Sequence, residues 1–218
     1  MGDIIRDLTC IYYTSNREDG AFEAKIRAKL LEVLGDIPLI SVSQKPMDFG
    51  ENICVGDVGV SNQNAHRQFQ VGAIHAKTKY VCSAEADFLY PREYFDFRPE
   101  RDDRAYRADN LYVIWDRGNA HHKSFSEGAT VVGRDYLIQT VEESLQGRGM
   151  WCDTMEGIPE TPVTFKQVGF ERFHNEVPIL TFKTRNGMHM KTPHSKHMRV
   201  RELPYWGDVN SIRDLYGI

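Results

Sequence analysis

Regular alternation over the first 84 residues is the strongest constraint on what this chain can become. The run LTCIYYT (8–14) is β-branched and aromatic, the composition of a buried strand. In the stretch after it, SNREDGAFEAKIRAKLLEVLGD, Phe22, Ile26, Leu30 and Leu34 recur at helical spacing, with Gly35 at the expected stop. IPLISVS (37–43) reads as a second strand, residues 61–78 as a second helix with Ser61 as its N-cap, and KYVCSA (79–84) as a third strand. Strand, helix, strand, helix, strand predicts an α/β fold with a mostly parallel central sheet and right-handed crossovers. Ligands of such sheets bind at the carboxyl ends of the strands. That rule points to residues 14–18, to 43–45 and to whatever follows Ala84.

Beyond residue 90 the pattern loosens. YPREYFDFRPERDDRAYRADN is dense in charge and is expected to be a surface excursion. Residues 111–116, 161–165 and 177–183 read as further strands, 134–149 as a helix, and DVNSIRDLY as a short closing helix. There is no internal repeat and no low-complexity tract.

Length and composition narrow the class. At 218 residues the chain suits one domain, or one with a small appended segment, and can bury a core without disulfides or a structural metal. No apolar run approaches the ~18 residues that span a bilayer, and the N-terminus has no basic flank and apolar stretch of secretory type. A membrane span and a secreted disulfide scaffold are therefore not expected, and the expected compartment is the cytoplasm. Cys10, Cys54, Cys82 and Cys152 form no CxxC pair and read as buried reduced thiols. The net charge of −4 is unevenly spread. Residues 165–201 hold Lys166, Arg172, Lys183, Arg185, Lys191, Lys196, Arg199 and Arg201 against only Glu171 and Glu176. A basic segment on an acidic body suits phosphate-bearing ligands, although a solvated face has the same composition.

The most informative stretch is KYVCSAEADFLYP, where an apolar strand runs into Glu85-Ala86-Asp87. Two carboxylates one residue apart point the same way if the segment stays extended. Left without a cation, two buried like charges would raise one pKa strongly; a divalent ion removes the conflict. Mg²⁺ or Mn²⁺ suits such hard oxygen donors.

The strand ending in E-x-D, with an opening strand ending in Thr14-Ser15-Asn16, resembles the nucleotide-sugar-dependent glycosyltransferases of the GT-A (Rossmann-related) fold. ISVSQKPMDFGENICVG, the His-Arg-Gln of 66–68 and AKTKYVCSAEADFLYP are similar to small bacteriophage glycosyltransferases, some implicated in glycosylating hydroxymethylated pyrimidines of DNA. Glu85-Ala86-Asp87 stands where related sequences often have Glu-Asp-Asp, which puts the burden on Asp87 as direct ligand. The resemblance implies a Mn²⁺ or Mg²⁺ cofactor held by Glu85, Asp87 and a late histidine. His189 is preferred to His194 and His197, because it follows the strand at 177–183 most directly. It also implies a UDP-sugar donor contacted by Thr14, Asn16, Glu18, Ser43 or Gln44, Arg67 and Gln68, with Lys191 on the phosphates. Asn16 and Glu18 can equally serve as cap and first-turn acid of the helix that follows. Residues 1–160 would form the donor-binding core, and 161–218 a basic segment completing the site.

An inverting transfer needs a group to take the acceptor's proton. Asp116, Asp153 and Glu156 are candidates, with Asp153 preferred for its place in GRGMWCDTMEGIP. Trp151, Tyr205 and Trp206 are core residues or stacking surfaces for an extruded base. The expected acceptor is a 5-hydroxymethylpyrimidine in DNA. Rival readings are transfer to a glycan, protein or small molecule, a nucleotidyltransferase, and a non-catalytic nucleic-acid binder. SNREDG is a poor match to the Gly-rich phosphate loop of a nucleotidyltransferase. A zinc site from His194, His197 and Cys152 lacks paired spacing, and His121-His122 reads as loop surface.

Overall fold

The computed structural model describes residues 7–115, 118–152, 169–187 and 199–218. In chain order its elements begin β1 (Leu8–Thr14), α1 (Gly20–Leu34), β2 (Leu39–Ser43), β3 (Glu51–Cys54), α2 (Asn62–His75), β4 (Tyr80–Glu85) and β5 (Phe88–Leu89). There follow α3 (Arg92–Asp96), β6 (Ala105–Ala108), β7 (Leu111–Trp115), β8 (Asn119–Lys123), β9 (Thr130–Gly133) and α4 (Arg134–Ser144). The chain finishes with β10 (Glu171–Phe173), β11 (Ile179–Phe182), β12 (Glu202–Leu203), β13 (Gly207–Asp208) and α5 (Val209–Tyr216).

Seven strands form the main sheet in the order β10-β6-β9-β4-β1-β2-β3. β1 pairs in parallel with both β2 and β4, β2 with β3, and β10 with β6, while β9 runs antiparallel between β4 and β6. The alternation expected over residues 8–84 is thus the parallel half of the sheet. All seven residues of β1 are buried because both faces are covered. Leu8, Cys10 and Tyr12 face a core with Leu30 and Leu34 of α1 and Tyr94 and Phe95 of α3. Ile11 and Tyr13 face Phe69 and Ala73 of α2 and Leu137 and Val141 of α4. Gly72 of α2 sits so close to β1 that a Cβ there would lie 2.4 Å from Cγ2 of Ile11, so only glycine allows that approach.

A second sheet, β5-β11-β7-β8, carries the remainder of the site. Ile114, Leu180 and Phe182 of this sheet pack with Phe22 and Ile26 of α1 and with Val209, Ile212 and Tyr216 of α5. Residues 169–187 therefore feed both sheets, β10 the large one and β11 the small one.

Several expectations are corrected. The charged stretch after residue 90 is not a surface excursion: α3 buries Tyr94 and Phe95, and β6 is a buried strand whose Arg107 side chain is 0% exposed. Its charges mark exposed turns at residues 101–103, which hid two core elements from a reading based on composition. Glu85-Ala86-Asp87 does not stay extended, since the chain turns at Ala86 and Asp87 between β4 and β5. Asp19, not Asn16, caps α1, accepting from the backbone N–H of Ala21 and Phe22. His121 and His122 lie in β8 rather than a loop; His121 is buried and accepts a 2.7 Å hydrogen bond from Trp115 Nε1 at Nδ1. The helix expected over 134–149 stops at Ser144. Cys10 and Cys82 are buried, but Cys54 is exposed and Cys152 half-buried; none forms a disulfide with another described residue. The strand expected at 161–165 lies outside the described residues.

Candidate active site

A cleft of about 570 Å³ opens where the carboxyl ends of β1, β2 and β4 meet the second sheet. Thr14, Gln44, Glu85 and Asp87 line it from the large sheet side, and Lys123 and Lys183 from the ends of β8 and β11. The rule that parallel sheets bind ligands at their strand ends holds here because main-chain groups there have no further strand to pair with.

Glu85 is the last residue of β4, opposite Tyr13 near the end of β1, and Tyr13 OH donates to its Oε1 at 2.6 Å. Tyr13 and Glu85 are neighbours in the parallel register, so the bond follows directly from the strand pairing. Desolvation raises the Glu85 pKa, with the Tyr13 bond opposing it and the charge of Glu127 adding to it. Asp87 follows the turn, where β11 docks: the Phe182 N–H donates to the Asp87 carbonyl at 2.9 Å. Its carboxyl is pushed up to about 8, first by desolvation and then by the charge of Glu85; Lys183 opposes the shift. Two acids in one cleft are thus in electrostatic conflict, as expected without a cation between them.

The second sheet brings the mirror-image conflict. Desolvation and the neighbouring Lys183 both lower the pKa of Lys123, while Glu85 and Glu127 oppose this. Glu18 also reaches the cleft, where Thr184 Oγ1 donates to its Oε1 at 2.9 Å; desolvation raises its pKa.

The remaining residues singled out in the sequence divide clearly. Thr14 lines the cleft, and its Oγ1 accepts from the Asn16 N–H. Gln68 lines it too, its Nε2 donating to the carbonyls of Thr14 at 2.9 Å and Val42 at 3.0 Å, so it braces the ends of β1 and β2. Gln44 is held by a 2.7 Å bond to the Gly59 carbonyl.

Asn16, Ser43 and Arg67 are not among the residues lining the cleft. Asn16 sits at φ 54°, and its Oδ1 accepts from the N–H groups of Gln44 and Lys45, clamping the β1 and β2 ends together. Ser43 is fully buried, donating to the Lys45 carbonyl and accepting from Asn52 Nδ2. Arg67 points away toward α4, pairing with Glu142 at 2.6 Å and donating to Gln70 at 2.8 Å. His189, Lys191, Asp153, Asp116 and Glu156 lie outside the described residues, as do His194 and His197. Among the described residues, no group of three His, Cys, Asp or Glu side chains could hold a metal ion.

Sequence reasoning passed over Tyr13, Lys123 and Glu127 as site residues. Tyr13 was recoverable, since it stands one residue before the strand end that the ligand rule selects. Lys123 and Glu127 carry no periodic or motif signal, and only the pairing of β8 with β7 and of β9 with β4 brings them to the cleft.

No protein-family model matches the chain, and no curated protein matches it. Among solved structures, residues 1–349 of TarS from S. aureus in complex with UDP-GlcNAc align with a TM-score of 0.51. Identity is 10%, over 82% of this chain and 59% of that one. The chain has the GT-A fold. TarS 1–349 on its own aligns with a TM-score of 0.50 at 11% identity, over 81% of this chain and 60% of that one. The catalytic domain of Drosophila β1,4-galactosyltransferase 7 with xylobiose gives 0.46 at 12% identity, over 78% and 64%. The chain spans about six tenths of the length of these solved structures. Among the described residues, no helix is long and apolar enough to cross a membrane.

Proposed function

We propose that the chain is a metal-dependent glycosyltransferase that moves a sugar from a UDP-sugar to a hydroxyl acceptor. The observation that carries this reading is the pair Glu85 and Asp87 at one cleft, with Asp87 pushed up to about 8. The donor chemistry fits Mn²⁺ or Mg²⁺, since Glu85 and Asp87 are two hard carboxylates that would hold such an ion. Bound there, the ion supplies positive charge that stabilises the departing diphosphate. Lys123 and Lys183 line the same cleft and carry the charge to hold the phosphates from the second sheet. Thr14, Gln44 and Gln68 form the floor on which the nucleoside would rest, and Glu18 lies beside it. Asn16, Ser43 and Arg67 then act by shaping the strand ends or α2 rather than by touching the donor. His189 and Lys191 are assigned to the metal and the phosphates by sequence resemblance alone.

The TarS structure with UDP-GlcNAc supports a nucleotide-sugar partner for this fold. The acceptor we assign, on the sequence resemblance, is a 5-hydroxymethylpyrimidine in DNA; Arg172, Arg185, Arg199 and Arg201 could track its phosphates. Calorimetric titration with UDP, with and without Mn²⁺, tests the donor half. Affinity that depends on Mn²⁺ is expected, and UDP binding that is absent or indifferent to the ion would remove it. Incubation with UDP-sugars, Mn²⁺ and hydroxymethylated DNA, followed by digestion to nucleosides, tests the acceptor half. Glycosylated nucleosides, formed at a rate that falls steeply with salt, are expected. Transfer to non-nucleic hydroxyls only would exclude the DNA acceptor and leave the donor chemistry standing.

A further inference from the structure

Among the described residues, four carboxylates line the cleft: Glu18, Glu85, Asp87 and Glu127. Three are already engaged. Glu18 accepts from Thr184, Glu85 accepts from Tyr13, and Glu85 and Asp87 are the proposed cation ligands. Glu127 differs. Its side chain is 36% exposed, and its carboxylate takes part in no hydrogen bond with another described residue.

Its charged neighbours sit just out of hydrogen-bonding reach. His66 Nε2 is 3.9 Å from Glu127 Oε2, and Arg107 Nη2 is 3.9 Å from Oε1. Arg107 is completely buried in β6, with its guanidinium 4.4 Å from the Phe170 ring centroid and 5.9 Å from that of Phe125. Arg107 thus places a fixed positive charge on one side of the carboxylate without occupying its lone pairs. Desolvation lowers the pKa of His66, which therefore adds a neutral ring to the same side.

The backbone of Glu127 is fixed while its carboxylate is left open. Thr130 Oγ1 donates to the Glu127 carbonyl at 2.8 Å, and Ser83 Oγ donates to it at 3.3 Å. The next residue, Gly128, packs directly on the proposed metal ligand: a Cβ there would lie 2.7 Å from the Glu85 carboxyl carbon and from Phe88 Cζ. Its carbonyl accepts from Tyr90 OH, which in turn accepts from the Glu85 N–H. Glu127 therefore lines the cleft on a fixed backbone, with a carboxylate that makes ion-pair contacts at 3.9 Å but no hydrogen bond to another described residue.

Resting on the transferase reading of this cleft, we propose that Glu127 is the catalytic base that takes the proton of the acceptor hydroxyl. The acceptor O–H bond breaks as its proton passes to the Glu127 carboxylate. The oxygen forms the new bond to the anomeric carbon, the bond from that carbon to the diphosphate oxygen breaks, and its electron pair leaves with UDP. Single displacement inverts the anomeric configuration. Asp153, the residue preferred from sequence, is then not the base.

The test compares the wild type with Glu127→Gln and Asp153→Asn, using UDP-glucose, UDP-galactose and UDP-GlcNAc with Mn²⁺ and hydroxymethylated DNA or water as acceptor. Glu127→Gln is expected to lower kcat by roughly 10²–10⁴-fold with Mn²⁺-dependent UDP affinity unchanged. In a companion Glu127→Ala variant, whose truncation leaves room for a small carboxylate, added formate should restore part of the rate, and the product's anomeric proton coupling should report inversion. Turnover within threefold of wild type, or retained configuration, overturns the assignment. So does a loss of UDP affinity that matches the loss of rate, because the residue would then serve donor binding. A wild type that neither binds UDP nor releases it from any donor instead overturns the transferase reading itself.

Discussion

The two sheets furnish the cleft with opposite charge, and they do so differently. The large sheet places Glu85 at the end of a buried strand, where pairing with β1 puts Tyr13 against it, and the turn after it presents Asp87. The small sheet presents Lys123 and Lys183 from the ends of β8 and β11, two strands that flank β7 on either side. Each side holds like charges that raise one another's cost: Glu85 pushes Asp87 up, and Lys183 pushes Lys123 down. Neither side neutralises the other by direct pairing, since no salt bridge joins these lysines to these acids among the described residues. A divalent cation bound with a diphosphate would answer both conflicts at once. On the proposed function, acids at a strand end and lysines on a second sheet would be two halves of one ligand's complement.

The largest expected effect breaks the acidic half. Asp87→Asn should abolish Mn²⁺-dependent UDP affinity and lower turnover by at least about 100-fold, as read by calorimetry and donor release. The same variant has a distinct signature without ligand. Because the folded carboxyl titrates near 8, above its ordinary 3.8, its contribution to stability is complete below about pH 4 and disappears as pH rises through 8. Metal-free Asp87→Asn should therefore melt higher than wild type at pH 8, with the gap narrowing toward pH 4. An unchanged gap across that window would show that Asp87 is not in a desolvated site.

Next comes Gly128→Ala, which alters the junction of acid and base without touching either charge. The added methyl meets the Glu85 carboxyl and the Phe88 ring at 2.7 Å, so one of them must shift. Turnover should fall by about 100-fold with circular dichroism unchanged. Activity near wild type would mean that the position of Glu85 is not critical.

A smaller effect is expected from the basic half. Lys123→Met and Lys183→Ala should each weaken UDP binding by about tenfold and leave uridine binding unchanged, because one charge-assisted contact to phosphate is worth roughly 1.5 kcal/mol. Equal loss for uridine and UDP would place the lysines away from the phosphates. The smallest effect sharpens the comparison from outside it. Arg67→Met removes a pair with Glu142 that is largely exposed on the Glu142 side, and should cost roughly 1 kcal/mol by thermal melt with UDP affinity unchanged. A loss of UDP affinity would restore Arg67 to the donor site.

Local pattern made much of this legible. Four-residue apolar spacing located α1, turn and cap chemistry located α2, and β-branched runs located β1, β2 and β4, because these signals depend only on neighbours in the chain. Glu85 and Asp87 were legible for the same reason: they stand where an apolar strand gives out at its carboxyl end. Arg67 and Ser43 turn into the packing rather than into the cleft lining; a polar side chain near a strand end or helix start can do either, and sequence spacing does not say which. The strands β6 and β9 escaped notice because they are short and, in the case of β6, surrounded by charge.

By itself, then, the order of residues determined a parallel α/β half-sheet ending in two carboxylates, since periodicity and strand pairing of near neighbours are local properties. Only the tertiary structure decided that lysines from a separate sheet and Glu127 from the loop before β9 share that cleft. Residues far apart in sequence meet through the closure of long loops around buried surface, and no short-range pattern records where those loops return.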